Sequence, residues 1–321
     1  MITIFPMPEA VKSQRGGQYT YCQNLSKLFK GDNEIVYLKY NQPKGKNIPL
    51  LNKIWFSWKD LYRKIKDSNC DIVHINGYLG PSTWQEFIVS YLANKKIIYS
   101  PHFHPFRYLR RPFLGRLFFY FMLLPTLPLA SVIFTIGDAD YNFFRRFHKR
   151  VVKIPHHFEM TAKEQTTHRK ENMILFVGRN ESNKGMEYLY SIPSKYEVHC
   201  VTGGKLKRKD FIQHTMISAE ELSKLYSQAS LVVVPSRYEA FSLVALEAFS
   251  HDTPVLMSSN VKIADYLTNE SGFAIFRYGD KQDFIDKIET VIGMPVDKET
   301  ILGKFTPSII KNQYKMALSK L

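Results

Sequence analysis

Two carboxylates, Glu239 and Glu247, lie eight positions apart inside ASLVVVPSRYEAFSLVALEAFSHDTPVLMSSN, residues 229–260, which is otherwise mostly apolar. A carboxylate in such surroundings is costly unless it has a partner. If a helix starts near Phe241, Glu247 lies one to two turns inside it and Glu239 just before it, so the two would reach one ligand from different directions. The blander alternative makes Glu239 a charge favourable at a helix N-terminus and turns Glu247 to solvent. Two cations, Arg179 and Lys184, flank the turn GRNESNKG; they suit a diphosphate, which they can neutralise without a metal, or they are ordinary surface charges. The Gly-Lys-Ser/Thr of a Walker loop is absent there. Gly16-Gly17 permits close approach to a phosphate or is a flexible turn. His102 stands in PHFHP, and Asp138 and Asp140 form a D-x-D that suits either a metal or a helix cap.

The elements that must carry these residues alternate between strand and helix. Leu231–Val234 is an apolar run of the buried parallel-strand type, residues 242–250 fit a buried helix, and Val255-Leu256-Met257 begins the next strand. Met1–Phe5, Glu34–Leu38, Asp71–Ile75, Lys96–Ser100, SVIFTIG (131–137), Met173–Val177 and Val198–Thr202 read as further strands. Helices are expected over Tyr19–Phe29, Ile54–Lys66, 84–94, Tyr141–Phe147, 218–227 (opening with a Ser218/Glu221 capping box), 263–268, 281–292 and 308–319. The candidates sit where strands end, which is where ligands bind in open α/β sheets. Residues 148–172 read as a polar, basic connection between domains.

The string PSRYEAFSLVALEAFSHDTPV closely resembles the signature of retaining glycosyltransferases of family 4, P-S-x-x-E-G-F-G-x-x-x-x-E-A-x-x-x-G-x-P-V. Gly16-Gly17, PHFHP and VGRNESNKG fall in the same order as that family's other motifs. Three family glycines are replaced, by Ala240, Ser242 and Asp252, so donor preference inferred from the glycine form does not carry over. The resemblance implies an α/β chain of the GT-B fold, with two Rossmann-like domains facing each other across a cleft. Residues 1–155 would form the acceptor and membrane-facing domain and 156–307 the nucleotide-sugar domain, with a helix over 308–321 crossing back. It implies a retaining, metal-independent transfer from a nucleotide-diphosphate sugar, a UDP-sugar being expected, to a hydroxyl of a saccharide or lipid-linked acceptor in surface polysaccharide synthesis. Arg179 and Lys184 would stabilise the leaving diphosphate, and Glu239 and His102 would hold the donor sugar. Glu247 would take the ribose hydroxyls, and Gly16, Gly17, Ala240, Phe241 and Ser242 would line the donor. No cofactor and no metal site are expected. A nucleotide-sugar epimerase on the same fold and a non-catalytic basic module for membrane or nucleic acid are the rival readings.

Length and charge agree with two domains and an anionic partner. The chain has 321 residues and 45% hydrophobic content. Residues 1–155 carry 23 Lys and Arg against 9 Asp and Glu, hence +14; residues 156–321 carry 21 against 20, hence +1. From Leu117 to Phe134 eighteen residues pass without a charge, divided by Pro125 and Pro128 and preceded by Arg107, Arg110, Arg111 and Arg116. That segment fits an amphipathic region touching a membrane surface, or a buried helix with a solvated basic end. Three scattered cysteines and a start without a signal-peptide pattern lead us to expect a cytoplasmic protein peripheral at the inner face of the plasma membrane, with no nucleic-acid partner.

Overall fold

Short apolar strands separated by helices bury both faces only in a parallel sheet covered on each side. The computed structural model contains two such sheets, and it describes residues 2–5, 21, 24, 25, 27–29, 35–37, 58–68, 70–77, 81–102, 112–159 and 168–321. The chain divides into one unit of residues 1–156 with 307–321, and a second of residues 157–306.

The first unit contains β1 (Ile2–Phe5), β2 (Ile35–Tyr37), β3 (Ile72–Asn76), β4 (Lys96–Ser100), β5 (Val132–Thr135) and β6 (Val151–Lys153). They pair in parallel in the order β2-β1-β3-β4-β5-β6. Alternation along each strand splits its side chains between two cores. Ile97, Tyr99 and Ile133 pack on one face with Leu61, Phe87, Leu123 and Phe144. Ile98, Val132 and Phe134 pack on the other with Tyr21, Leu25, Leu28, Ile310 and Tyr314. Helices α1 (Trp58–Asp67), α2 (Pro81–Leu92), α3 (Phe113–Thr126) and α4 (Asp138–Phe144) belong to this unit.

The second unit contains β7 (Met173–Val177), β8 (Glu197–Val201), β9 (Ile212–His214), β10 (Leu231–Val234), β11 (Val255–Ser258) and β12 (Phe273–Phe276), in the order β12-β11-β10-β7-β8-β9. Its helices are α5 (Met186–Leu189), α6 (Ala219–Gln228), α7 (Leu243–Ser250), α8 (Lys281–Val291) and α9 (Lys298–Gly303). The last helix, α10 (Pro307–Leu318), returns to the first unit and supplies Ile310 and Tyr314 to its core.

Counted from β7, the second sheet has the doubly wound order 3-2-1-4-5-6, and β7 and β10 are the neighbours at which it reverses. The first sheet follows 2-1-3-4-5 and adds β6, with its reversal between β1 and β3. In both patterns the space beyond the strand C-termini at the reversal is where a ligand fits.

The uncharged segment divides as its prolines led us to expect: α3 ends at Thr126, a short 3-10 turn spans Leu127–Leu129, and β5 follows. Other elements differ from the sequence expectation. β6 lies within the stretch read as a connection, and residues 263–268 are largely a 3-10 turn, Lys262–Tyr266. Among the described residues no helix is long and apolar enough to cross a membrane.

Candidate active site

The loops leaving β7 and β10 meet at the reversal of the second sheet. The Arg237 N–H donates to the Asn183 carbonyl at 2.8 Å, and Asn183 Nδ2 donates to the Tyr238 carbonyl at 3.1 Å. Gly185 makes this approach possible. It has φ +71°, and a Cβ there would lie 1.9 Å from the Pro235 carbonyl oxygen. Held this way, the Lys184 ammonium donates to the Glu239 carboxylate, each side chain 21% exposed. The Ser236 hydroxyl adds a longer bond to the same Glu239 oxygen, at 3.3 Å. The backbone of Glu239 is fixed from its other side, pairing as a parallel bridge with Val261, with N–H to Asn260 O at 3.3 Å and C=O from Lys262 N–H at 3.1 Å. A cation and an anion are therefore aimed at one point from two different strand ends.

Past Glu239 the chain turns into α7. Ser242, where the family pattern has glycine, is the N-cap: its Oγ accepts the Ala245 N–H at 3.2 Å. Such a cap contributes about 1 kcal/mol. The helix therefore opens at Leu243, two residues later than expected. Ala240 is partly exposed. The Phe241 ring is buried, with ring centroids 5.4 Å from Phe305 and 6.4 Å from Tyr266. Its side chain thus serves the core, which leaves its backbone for any ligand. Glu247 does not turn to solvent. The buried Tyr226 hydroxyl donates to its Oε2 at 2.7 Å. Tyr226 stacks on His251, whose Nε2 lies 2.7 Å from Ser223 Oγ. Burial pushes the Glu247 carboxyl up, and the Tyr226 bond pulls it partly back. Arg179 is in the β7 loop, but its exposed guanidinium pairs with Glu181 at 2.8 Å, not with Glu239.

In the first unit His102 follows β4 with φ +45°, a left-handed conformation that costs a non-glycine residue energy and is found disproportionately at functional positions. Its Nε2 lies 3.4 Å from Asn76 Oδ1 at the end of β3, and its ring is edge-on to Tyr21 at 4.5 Å. Behind it, His74 Nε2 is 2.7 Å from Ser100 Oγ. Burial lowers His102 to about 4. Burial, with a smaller contribution from His102, lowers His74 to about 3. Both rings are neutral near pH 7. Asp140 accepts from the N–H groups of Ile136 and Gly137, each at 2.8 Å, and so closes the start of α4. Asp138 pairs with Lys153 at 2.6 Å. Gly16, Gly17, Arg107, Arg110 and Arg111 lie outside the described residues.

Of the residues singled out in sequence, the structure joins Lys184 to Glu239 and sets Ser242 and Glu247 on the helix that follows. Asn183, Ser236, Tyr226, His74 and Asn76 were not singled out. Asn183 and Ser236 adjoin motif residues, and that adjacency was the available signal; Tyr226 and His74 read as ordinary positions in a helix and a strand.

Comparison with known proteins gives matches over this site and over the whole fold. Residues 158–308, nearly all of the second unit, match the family model for glycosyl transferases group 1. An uncharacterized glycosyltransferase of Methanocaldococcus jannaschii is 36% identical over 118 residues, which is 31% of this chain and 30% of that relative. The chain thus spans less than a third of the length of this relative. Anabaena HepE, solved in complex with UDP and glucose, superposes with a TM-score of 0.75 at 13% identity, covering 100% of both chains. The lipopolysaccharide outer core galactosyltransferase WaaB, in its apo form, gives 0.70 at 17% identity, covering 100% of this chain and 99% of its own. The chain has the GT-B fold, and its match to the glycosyl transferases group 1 model falls on the second unit, which carries Lys184, Glu239 and Glu247.

Proposed function

We propose that this chain is a retaining, metal-independent glycosyltransferase. It would move a sugar from a UDP-sugar to a hydroxyl of a saccharide or lipid-linked acceptor, at the inner face of the plasma membrane, in surface polysaccharide synthesis. The observation that carries the reading is the Lys184–Glu239 pair, which joins the two strand-end loops at the reversal of the second sheet. Without a ligand each charge shelters the other. A donor diphosphate takes Lys184, and Glu239 is then free to accept from a sugar hydroxyl. Glu247 accepts from the ribose hydroxyls while Tyr226 holds its Oε2.

In the transfer, the anomeric carbon–oxygen bond to the diphosphate breaks and its electron pair leaves with the phosphate. The acceptor oxygen bonds to the anomeric carbon on the same face, through an oxocarbenium-like state. The proton of the acceptor hydroxyl passes to the departing phosphate oxygen. Lys184 and Arg179 offset charge that grows on the leaving group, so their effect falls on the transition state. Asp138 and Asp140, the metal-like pair, are engaged by Lys153 and by backbone N–H groups. His102, neutral and hydrogen-bonding, is assigned to the donor sugar. The UDP and glucose bound by HepE support the donor class, and the likeness to WaaB, a lipopolysaccharide outer core galactosyltransferase, supports the acceptor class.

The test is calorimetry of the full chain with UDP-glucose and UDP-galactose, followed by transfer to a lipid-linked saccharide with and without chelator. The expected result is donor binding, an axial or equatorial linkage identical to that of the donor, and activity that survives chelation. Failure to bind any nucleotide sugar would sink the reading. Epimerised nucleotide sugar formed without acceptor would replace it with the epimerase. Activity lost on chelation and restored by magnesium or manganese would overturn metal independence.

A further inference from the structure

We infer that the outer face of α3 is a membrane-insertion surface, with the helix lying flat in the headgroup region of an anionic bilayer. This deepens the membrane part of the reading above. The inner face of the helix buries Phe119, Met122, Leu123 and Thr126, as a core helix should. The outer face is also apolar: Phe113, Leu114, Leu117, Phe118, Phe121 and Leu124 are each 50–75% exposed. At 3.6 residues per turn these six fall in an arc of about 140°, and the one other residue in that arc is Pro125. Tyr91 and Leu92, at the end of the adjoining α2, are exposed as well. A single exposed leucine needs no explanation, but a contiguous face of this kind marks a contact surface.

Charge selects the occupant. Arg116 is exposed on the same helix, Arg107, Arg110 and Arg111 precede it in the sequence, and residues 1–155 carry +14. A second copy pressed against this face would bring two strongly basic units together, whereas an anionic lipid surface is complementary. Fourteen residues extend about 21 Å, short of the roughly 30 Å hydrocarbon core, so the helix lies on the bilayer and does not cross it.

The experiment is cosedimentation of the full chain with vesicles of phosphatidylcholine alone or mixed with phosphatidylglycerol. Binding is expected to need phosphatidylglycerol and to persist in part at about 1 M salt, where the screening length is about 3 Å. The double variant Phe118→Ser/Phe121→Ser should weaken partitioning by about tenfold for each phenylalanine removed. Its circular dichroism should be unchanged, because both side chains are exposed. Arg116→Gln should have a smaller, salt-dependent effect. The inference is overturned if the chain ignores anionic vesicles at low salt, if the double variant binds them as the parent does, or if sedimentation shows a dimer that the double variant abolishes while vesicles bind neither. Donor calorimetry is independent of this result: a chain that binds vesicles but no nucleotide sugar loses the transferase reading and keeps the insertion surface.

Discussion

The two units use the same parallel-sheet architecture and differ in how some of their sheltered ionisable groups carry charge. In the first, burial removes the charge of three groups. His74 and His102 are pushed down to about 3 and about 4, and Glu86 in α2 is pushed up to about 8, so all three are neutral at pH 7. In the second, sheltered charges are kept by pairing, as in Lys184 with Glu239 and Lys304 with Glu270. Neutral donors and acceptors suit a hydroxyl-bearing ligand, and paired charges that can change partner suit an anionic one. The difference matches the proposed roles, with neutral His102 assigned to a sugar and Lys184 to the nucleotide diphosphate.

The sharpest way to break the contrast is to remove charge from the second unit. Lys184→Met should lower the transfer rate by about 10²–10³-fold, the usual cost of losing one transition-state electrostatic contact. Donor affinity should change much less, and single-turnover rates set beside calorimetric Kd values separate the two. An effect confined to KM would mean that Lys184 binds ground and transition states alike. Arg179→Ala should cost less, because that guanidinium is exposed and already held by Glu181. Gly185→Ala leaves every charge in place and attacks the geometry. The added methyl collides with the Pro235 carbonyl at a left-handed position, so the loops must part. Displacement by about 1 Å is expected to cost about 10²-fold in transfer. Wild-type kinetics in this variant would show that the loop contact is dispensable.

The contrast can be tested in the first unit through pH. The Glu86 carboxyl titrates near 8 when folded, above its ordinary value of 4.5. Between these values the folded chain holds a proton that the unfolded chain has lost, so stability falls as pH rises through this window. Glu86→Gln should remove that slope, worth about 2 kcal/mol between about pH 6 and pH 8. His74 and His102 have the opposite sign. Their folded values lie below 6.5, so the stability they contribute is lost as pH falls from about 6.5 towards 4. Amide exchange of α2 and β3 against pH measures this locally, since two units need not unfold together. An unchanged slope in Glu86→Gln would mean that this carboxyl is not held neutral.

Much of this was legible in the sequence where physics leaves a repeated mark. Buried parallel strands such as Leu231–Val234 and Val132–Thr135 are uninterrupted apolar runs, so their positions could be read directly. The edge strands β9 and β6 are three residues long, IQH and VVK, and give no such run; β6 was taken as linker. The Glu239 motif pointed to a ligand. That Lys184 would meet it was not readable, because the contact spans 55 residues and depends on Gly185 letting two backbones touch. Phe241 was placed along the donor by its position in the motif, and that its ring packs beside Tyr266 and Phe305 was not readable, because those partners lie 25 and 64 residues further along the chain. The outer face of α3 was half legible. Composition showed an uncharged segment, and only the packing shows which of its apolar side chains remain uncovered.

The smallest expected effect lies at Glu247, where burial shifts a carboxyl of the second unit in the direction it shifts Glu86 of the first. Burial raises Glu247, and the Tyr226 hydroxyl opposes this by donating to Oε2. Tyr226→Phe removes the opposing bond without adding volume. The folded Glu247 carboxyl then rises further and is protonated at a higher pH. A protonated carboxyl accepts fewer bonds from ribose hydroxyls, so donor affinity should fall as pH falls, and this loss should begin at a higher pH in the variant than in the parent. At neutral pH the weakening should be about 3–10-fold, equivalent to one net hydrogen bond of about 0.5–1.5 kcal/mol. The control is 2′-deoxy-UDP. A residue that merely supported the fold would weaken UDP and 2′-deoxy-UDP equally, whereas one that positions Glu247 should narrow the difference between them. Calorimetry of both ligands across pH decides it, and parallel pH profiles with an unchanged UDP to 2′-deoxy-UDP ratio would remove Tyr226 from the ribose site.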